Sequence, residues 1–416
     1  MSAEHVRSGI PRESFLVGVA VFLVIAATNI MTPLLPDIRS DFGVSISTAG
    51  VIVGSYGLAR LVTDLPAGFV IDALGHRRVT LAGLALLVIA SLVGLNATSV
   101  PMLVIARLGS GVAVALVTTV GLAALGASAT TANRGKVMSL FHVANNTGIA
   151  LYPLVGGFVG AAFGWRATFA VTVALAVVAG VILVPVLLRL RLRDSAAGRA
   201  GARDERVLHG REQRIALGAV NYGVVANMIN RHGFRNTVLP LYAAASLGLG
   251  GVSIATAIAL MSITGLMVAT PGGMIGDRLG RRRVIMSGLV AIAAGDLVFL
   301  LTHDLVTFLL CSALIGFGDF FSSSQTALLS EIVPSLHRTK VLAGYRFSSD
   351  LGAFLGPVVL AAVMDLANAQ ASIALAAALL VSAALAAFAG VPARVDDRAP
   401  AGAGALVGAE GGSHAD

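Results

Sequence analysis

"AGFVIDALGHRRV", residues 67–79, and "GGMIGDRLGRRRV", residues 272–284, each set an aspartate, spaced glycines and a knot of basic residues between long apolar stretches. Extended by a few residues, 66–84 and 271–289 align without gaps at an offset of 205. Ten of the nineteen positions are identical, among them Pro66/Pro271, Gly68/Gly273, Asp72/Asp277, Gly75/Gly280 and Arg77/Arg282. A second correspondence, at offset 204, pairs "NNTGIALYPLVGG" (145–157) with "SDLGAFLGPVVLA" (349–361). Two separate matches at nearly one offset mean that the chain is a duplicated unit. Parallel repeats of this kind place a binding site between the halves and allow alternating access by rocking.

Composition supplies the solvent. Charged residues make up 12% of the chain, where soluble globular proteins carry about a quarter, and 56% of it is apolar, with a mean hydropathy of +0.88. Apolar runs close to the roughly 20 residues that cross a hydrocarbon core recur throughout. The expectation is an all-α polytopic membrane protein. Charge and Pro/Gly punctuation divides it into twelve spans, near 14–36, 47–69, 79–97, 100–123, 137–162, 166–188, 215–244, 251–274, 284–302, 305–329, 340–364 and 370–392. The first follows Arg7 and Arg12 without a small-residue cleavage site and reads as an uncleaved helix. The single cysteine, Cys311, excludes an internal disulfide, sits in an apolar run and reads as a small buried apolar residue.

The basic residues orient the chain. With the N-terminus inside, twenty-two of the twenty-nine arginines and lysines fall on the cytoplasmic side; only Arg39 and Arg166 fall outside, and five lie within spans. Short loops rich in Lys and Arg stay in the cytoplasm, so both termini are expected there. The net charge of +8 is then topogenic and calls for no nucleic-acid partner. The resulting division is a cytoplasmic N-terminal tail (1–13), a six-helix bundle (14–188), a polar cytoplasmic linker (189–214), a second six-helix bundle (215–393) and a tail (394–416) that reads as disordered.

The loop pattern Gly-x-x-x-Asp-x-x-Gly-x-Arg-Arg, carried by Gly68, Asp72, Gly75, Arg77 and Arg78 and again by Gly273, Asp277, Arg278, Gly280 and Arg282, resembles the signature of the major facilitator superfamily. "RLGSG" (107–111) is similar to that superfamily's Arg-x-x-x-Gly element, and "GWRATF" (164–169) to its outer loop before the sixth span. Gly148, Tyr152, Pro153, Gly156 and Gly157 resemble the fifth-span signature of the twelve-span drug/proton antiporters, with Tyr152 where that pattern has glycine; Gly352, Gly356 and Pro357 are their counterparts in the second half. The resemblance covers 14–392 and implies twelve helices in two pseudo-symmetric bundles, a monomer, and a cavity lined by the first, fourth, seventh and tenth spans. Physics gives the loops a role of their own. Asp72 and Asp277 can pair with neighbouring arginines or face a helix N-terminus, latching one conformation at the cytoplasmic face. Ala73 and His76 replace the second copy's Arg278 and Arg281, so the first latch is expected to be the weaker.

Ionisable groups at membrane depth cost at least about 2.5 kcal/mol each on insertion scales and are candidates for function. They are Arg60, Asp64, Arg107, Arg231, Arg235, Asp296, Asp319, Arg346 and Asp350. Arg60 with Asp64, and Arg346 with Asp350, are four apart on a helix and can neutralise each other. Asp296 is on the ninth span, which the resemblance places toward lipid or the bundle's edge, and is expected to be locally satisfied or interfacial. Asp319 is the first candidate for the coupling proton or a cationic substrate, and Asp350 the second. Arg107, Arg231 and Arg235 point instead to an anionic or zwitterionic ligand, since arginine forks carboxylates; the bland alternative has the last two snorkelling to an interface. Asn29-x-x-x-Pro33 in the first span is echoed by Asn236-x-x-x-Pro240 in the seventh.

No phosphate-binding glycine loop follows a strand, no metal-ligand spacing appears, and no cofactor is expected. The chain reads as a non-enzymatic secondary transporter of the inner or plasma membrane whose partners are a small-molecule substrate, protons and the bilayer. The leading expectation is proton-coupled efflux of small amphiphilic compounds, a drug or metabolite exporter. A proton symporter for an organic anion or other small metabolite is the alternative, and a non-transporting receptor or scaffold comes third.

Overall fold

Proline lacks an amide hydrogen and interrupts a helix that runs through it, and both Asn-x-x-x-Pro elements break their spans. In the computed structural model, which describes residues 11–128, 133–189, 210–321, 324–325, 328–329, 332 and 338–391, the first span runs as α1 (Arg12–Asn29). It tightens to a 3₁₀ turn at Thr32–Leu34 and resumes as α2 (Leu35–Phe42). The Asn29 amide donates back to the Ile25 carbonyl at 3.0 Å. The seventh span runs as α9 (Gly210–Met228), widens to a π-helix over Ile229–Val238 and resumes as α10 (Leu239–Leu247), with Pro240 in its first turn. There the Leu239 amide donates to the Phe234 carbonyl, five residues back.

The remaining first-half helices are α3 (Ile46–Asp64), the short α4 (Ala67–Leu74), α5 (His76–Leu95), α6 (Val100–Ser128), α7 (Arg134–Phe163) and α8 (Ala167–Arg189). The second half adds α11 (Gly251–Leu279), α12 (Arg281–Val298), α13 (Leu305–Phe317), α14 (Arg338–Leu366) and α15 (Ala369–Gly390). Among the described residues ten segments are long and apolar enough to cross a membrane, and the interrupted seventh span and the shorter Leu305–Phe321 complete the twelve expected. Helix α9 starts at Gly210, so the end of the expected linker is helical; 190–209, 1–10 and the tail from 394 lie outside the described residues.

Each half buries its own core. Val17, Val21, Val114, Val117 and Leu183 pack in the first, and Phe234, Phe299, Phe308 and Phe321 in the second. The first half is strapped at one end by Asp41, whose carboxylate accepts from the Trp165 indole at 2.7 Å and from Arg166 at 2.8 Å. The halves meet where α3 packs on α14 and where α7 packs on α11. In the repeat α3 corresponds to α11 and α7 to α14, so the two contacts are equivalent under a two-fold relation, as the duplication requires.

The α3–α14 seam is made of small residues, which let backbones approach without a hydrophobic driving force. A Cβ at Gly57 would lie 2.7 Å from the Ala353 carbonyl carbon, and one at Gly54 2.8 Å from Val358; Gly50 abuts Pro357 and Ala361. At one end Ser47 donates to Asp365 from its hydroxyl at 2.7 Å and from its amide at 3.3 Å. Ser45, the N-cap of α3, takes the Thr48 amide at 3.1 Å. Leu34 presses against Gly160 and Gly251 at the same end. At the opposite end a Cβ on Gly68 would meet nothing within 4 Å.

Candidate substrate and coupling site

Where the seam stops, charge begins. One turn beyond Gly57, the Arg60 guanidinium stands between two carboxylates, 3.5 Å from Asp64 on its own helix and 3.3 Å from Asp350 on α14. The expected Arg346–Asp350 pair is therefore corrected: Asp350 turns across the interface to Arg60, while Arg346 stays exposed and makes no ion pair among the described residues. Helix spacing identified a possible partner for Asp350, but the partner it has comes from the other half.

These groups border a cavity of about 140 Å³ that runs out to open solvent. Thr118, Asn145, Tyr345 and Ser349 also line it, so its walls come from α3, α6, α7 and α14. A much smaller void, about 10 Å³, lies inside the first half against Arg107, Ser91, Ser110 and Thr172. Arg107 is buried and its guanidinium lies 4.8 Å from the centre of the Tyr56 ring. Gly111, the last residue of "RLGSG", permits this closeness: a Cβ there would sit 2.5 Å from the Tyr56 carbonyl oxygen.

A second polar group is enclosed in the other half. Arg235 forks Asp319, with Nη1 donating at 2.7 Å and Nη2 at 3.2 Å. Its Nε donates to Asn230 Oδ1 at 3.2 Å, and the Asn230 Nδ2 donates in turn to Asp296. Asp319 has Arg235 as its bidentate partner, brought within reach by the π-helical turns of Ile229–Val238. Asp296 is not interfacial: it is fully buried and satisfied locally, on one oxygen, by Asn230. Arg235 is buried and does not snorkel, whereas Arg231 is half-buried and makes no ion pair among the described residues. Asn230, the bridge, carries no charge and so drew no attention in the sequence.

The profile of the Major Facilitator Superfamily matches residues 17–229 and again 222–409. The chain belongs to the major facilitator superfamily. It is a multi-pass membrane transporter and not an enzyme. Among its relatives are Multidrug resistance protein 2 of Bacillus subtilis (strain 168), 24% identical over 351 residues that cover 83% of this chain and 87% of the relative. The Chloramphenicol resistance protein of Streptomyces lividans is 25% identical over 378 residues, 90% of this chain and 95% of the relative. The fold matches the crystal structure of peptide transporter POT in complex with sulfate, with a TM-score of 0.75 at 15% identity, covering 92% of this chain and 94% of that one. It also matches the human organic anion transporter MFSD10 (TETRAN), with a TM-score of 0.65 at 16% identity, covering 91% and 100%.

In this superfamily member the two signature loops are built alike and held differently. Gly75 and Gly280 take positive φ, +81° and +91°, to turn α4 into α5 and α11 into α12. Asp277 pairs with Arg281 at 2.7 Å, whereas Asp72, with His76 at the equivalent place, is exposed and forms no ion pair among the described residues. Arg77, Arg78 and Arg278 are exposed too. Arg282 leaves the loop: it stacks 4.7 Å from the Phe388 ring centre and donates to the Val391 carbonyl at 3.2 Å. The closest approach in the second loop is made by Gly272, against the Phe320 carbonyl, and Gly273 of the signature stands beside it.

The two Gly-Pro elements lie at helix crossings. In α7, Gly156 abuts the Ile30 backbone, and a Cβ at Gly157 would fall 2.5 Å from that of Ala255 on α11. A Cβ on Gly148 would lie 3.3 Å from the Phe22 carbonyl oxygen, Pro153 lies within the same helix, and Tyr152 meets the Phe22 ring edge-on at 5.3 Å. In α14, Gly352 and Gly356 receive the seventh span, a Cβ on them lying 2.6 Å from the Val225 carbonyl and 2.7 Å from the Ile229 carbonyl, with Pro357 next in line. Tyr152 and Phe321 are core side chains and Phe320 packs partly buried against that core.

Proposed function

We propose that this transporter exports small amphiphilic compounds of drug or metabolite type across the cell membrane in exchange for protons. The observation that carries this reading is the Arg60 guanidinium shared by Asp64 and Asp350 at the junction of the halves. Two carboxylates share Arg60 and keep one negative charge at a polar cavity, which Arg346, exposed a turn away and beyond ion-pair distance, offsets only in part, and charge at this depth is costly. A proton or a cationic group on the substrate cancels it, and either one competes with Arg60 for Asp350. The contact that joins the halves is thus sensitive to loading, which is what coupling requires. Asp319 is committed to both Nη atoms of Arg235, so Asp350 takes the coupling role ahead of it. The relatives' names, multidrug and chloramphenicol resistance, support export of foreign compounds. With both termini cytoplasmic, as the arginine distribution favours, the Ser47–Asp365 end faces outward and the cavity opens inward. The protein acts as a monomer in the inner or plasma membrane.

The test uses energised inside-out vesicles carrying an internal pH dye. Addition of a transported cationic or neutral drug releases protons in the native protein. Asp350→Asn, shown to be folded by its melting curve, abolishes that release; full retention of proton-linked transport would overturn the assignment. Exposed Arg346 beside the cavity favours one other reading, proton symport of an organic anion, for which only anions would move protons.

A further inference from the structure

The cavity beyond the seam is poorly suited to a purely lipophilic guest. Among the described residues, Phe141 is the only wholly apolar side chain on its walls. Two features of its charge set are unbalanced. Arg346 is exposed at the cavity, one helical turn before Asp350, and makes no ion pair among the described residues. Arg60, the cation that is engaged, serves Asp64 and Asp350 together. One positive group and one net negative charge therefore face the same space, on neighbouring turns of α14.

Each kind of singly charged guest leaves one of them uncompensated. A cation satisfies the carboxylate pair and leaves Arg346; an anion satisfies Arg346, whose planar fork matches a carboxylate, and leaves the acids. Only a guest bearing both signs neutralises both, and in a pocket walled by protein the difference is large. Resting on the reading of this cavity as the transport site, we propose that it selects small zwitterions. The guest's carboxylate is forked by Arg346, its ammonium faces Asp64 and Asp350, and Thr118, Asn145 and Tyr345 hydrogen-bond its polar body. The cavity is small, about 140 Å³, below the range of drug-sized sites, so it takes the charged groups of a small guest or leaves part of a larger one toward its open mouth, and the Phe141 ring offers one apolar contact. The ammonium takes the place of the proton on the acid pair, so one exchange serves both selection and coupling.

The experiment is equilibrium binding to the full-length protein in lipid nanodiscs, with no gradient. Two series serve as probes: phenylalanine with its amide and its N-acetyl derivative, and ampicillin with its methyl ester and its N-acetyl derivative. In at least one series the zwitterion should bind about tenfold tighter than either singly charged form. Arg346→Gln should close the gap between zwitterion and amide or ester, and Arg346→Lys should restore part of it. Cations or uncharged compounds binding as well as zwitterions, an Arg346→Gln variant with the same preference, or no zwitterion binding at all would overturn the proposal. Export itself is read separately, by proton-linked flux in vesicles. Flux of lipophilic cations without zwitterion binding removes this inference and leaves export standing; zwitterion binding without proton-linked flux does the reverse.

Discussion

Asp365 belongs to the last turn of α14, yet its carboxylate serves the first turn of α3 in the other half. Replacing it with alanine removes the 2.7 Å bond from the Ser47 hydroxyl and the 3.3 Å bond from the Ser47 amide. Only the Ser45 cap on Thr48 then remains at that helix start. A hydrogen bond to a charged group is worth about 1.5–3 kcal/mol, and an anion at an exposed helix N-terminus about 0.3–1 kcal/mol. Both ends of the contact are exposed, and water and salt reduce such values, so about 1–2 kcal/mol is the expected net loss. The bond exists only while the halves touch at this end, so the whole loss falls on that conformer and shifts the ratio of the two states about 5–30-fold. The assay is a spin-label distance measurement between Thr98 and Ser246 in a Cys311→Ser background. Asp365→Ala should add a longer-distance population. Asn368→Ala is the control, because it removes a cap of similar kind, the 2.7 Å bond from the Ala371 amide, wholly within one half. If Asp365→Ala leaves the distances unchanged, or Asn368→Ala shifts them equally, the contact is a local cap and no latch.

Breaking the enclosed Arg235–Asp319 fork from one side should cost about 3–5 kcal/mol. Asp319→Asn is therefore expected to lower the melting temperature sharply, and Arg235→Met with Asp319→Leu to recover much of it; a stable, uncoupled Asp319→Asn would restore Asp319 as the proton carrier. Arg282→Gln loses its stacking on Phe388, worth about 0.5–1 kcal/mol, together with the bond to Val391. It should weaken the packing of α12 on α15, read as faster hydrogen exchange at the end of α15, while Arg78→Gln should not. Asp304 caps α13, and hydrogen bonds from the Thr307 amide and hydroxyl hold its carboxyl below the usual range. Its contribution is present above the carboxylate's unfolded value and is lost as pH falls through the folded one. Asp304→Asn should thus flatten the acid limb of a melting-temperature profile, and an unchanged profile would count against the cap.

The repeat was legible because it is local: glycine, proline and charge at fixed offsets survive without knowledge of what they touch. Span number followed from the same punctuation, whereas the breaks near Pro33 and Pro240 did not: the sequence offered only their shared Asn-x-x-x-Pro spacing, and both spans read as continuous. Partnership across the interface was not legible. Spacing of four offered Arg346 to Asp350, and nothing in the sequence weighs that against Arg60, some 290 residues away. Asn230 and Ser47 are uncharged, so a search for ionisable groups passes over them, although each completes a contact between distant elements. The π-helix over Ile229–Val238 was hidden for a related reason. Its sequence has helical character, and only tertiary packing against Gly352 and Gly356 favours the wider turn.

The seam between α3 and α14 also divides the molecule by how freely it can vary. Gly50, Gly54 and Gly57 contribute no side chain, so no repacking can absorb a larger residue there; every substitution inserts atoms between two backbones. The cavity a turn away is bounded by long, jointed side chains that can be exchanged while the helices stay in place. Selection can therefore retune what is carried, through the walls, without disturbing the joint on which the carrying depends. A library of random variants sorted for folded expression alone would show the contrast as intolerant columns at three glycines and permissive ones at cavity positions such as Thr118, Asn145 and Ser349.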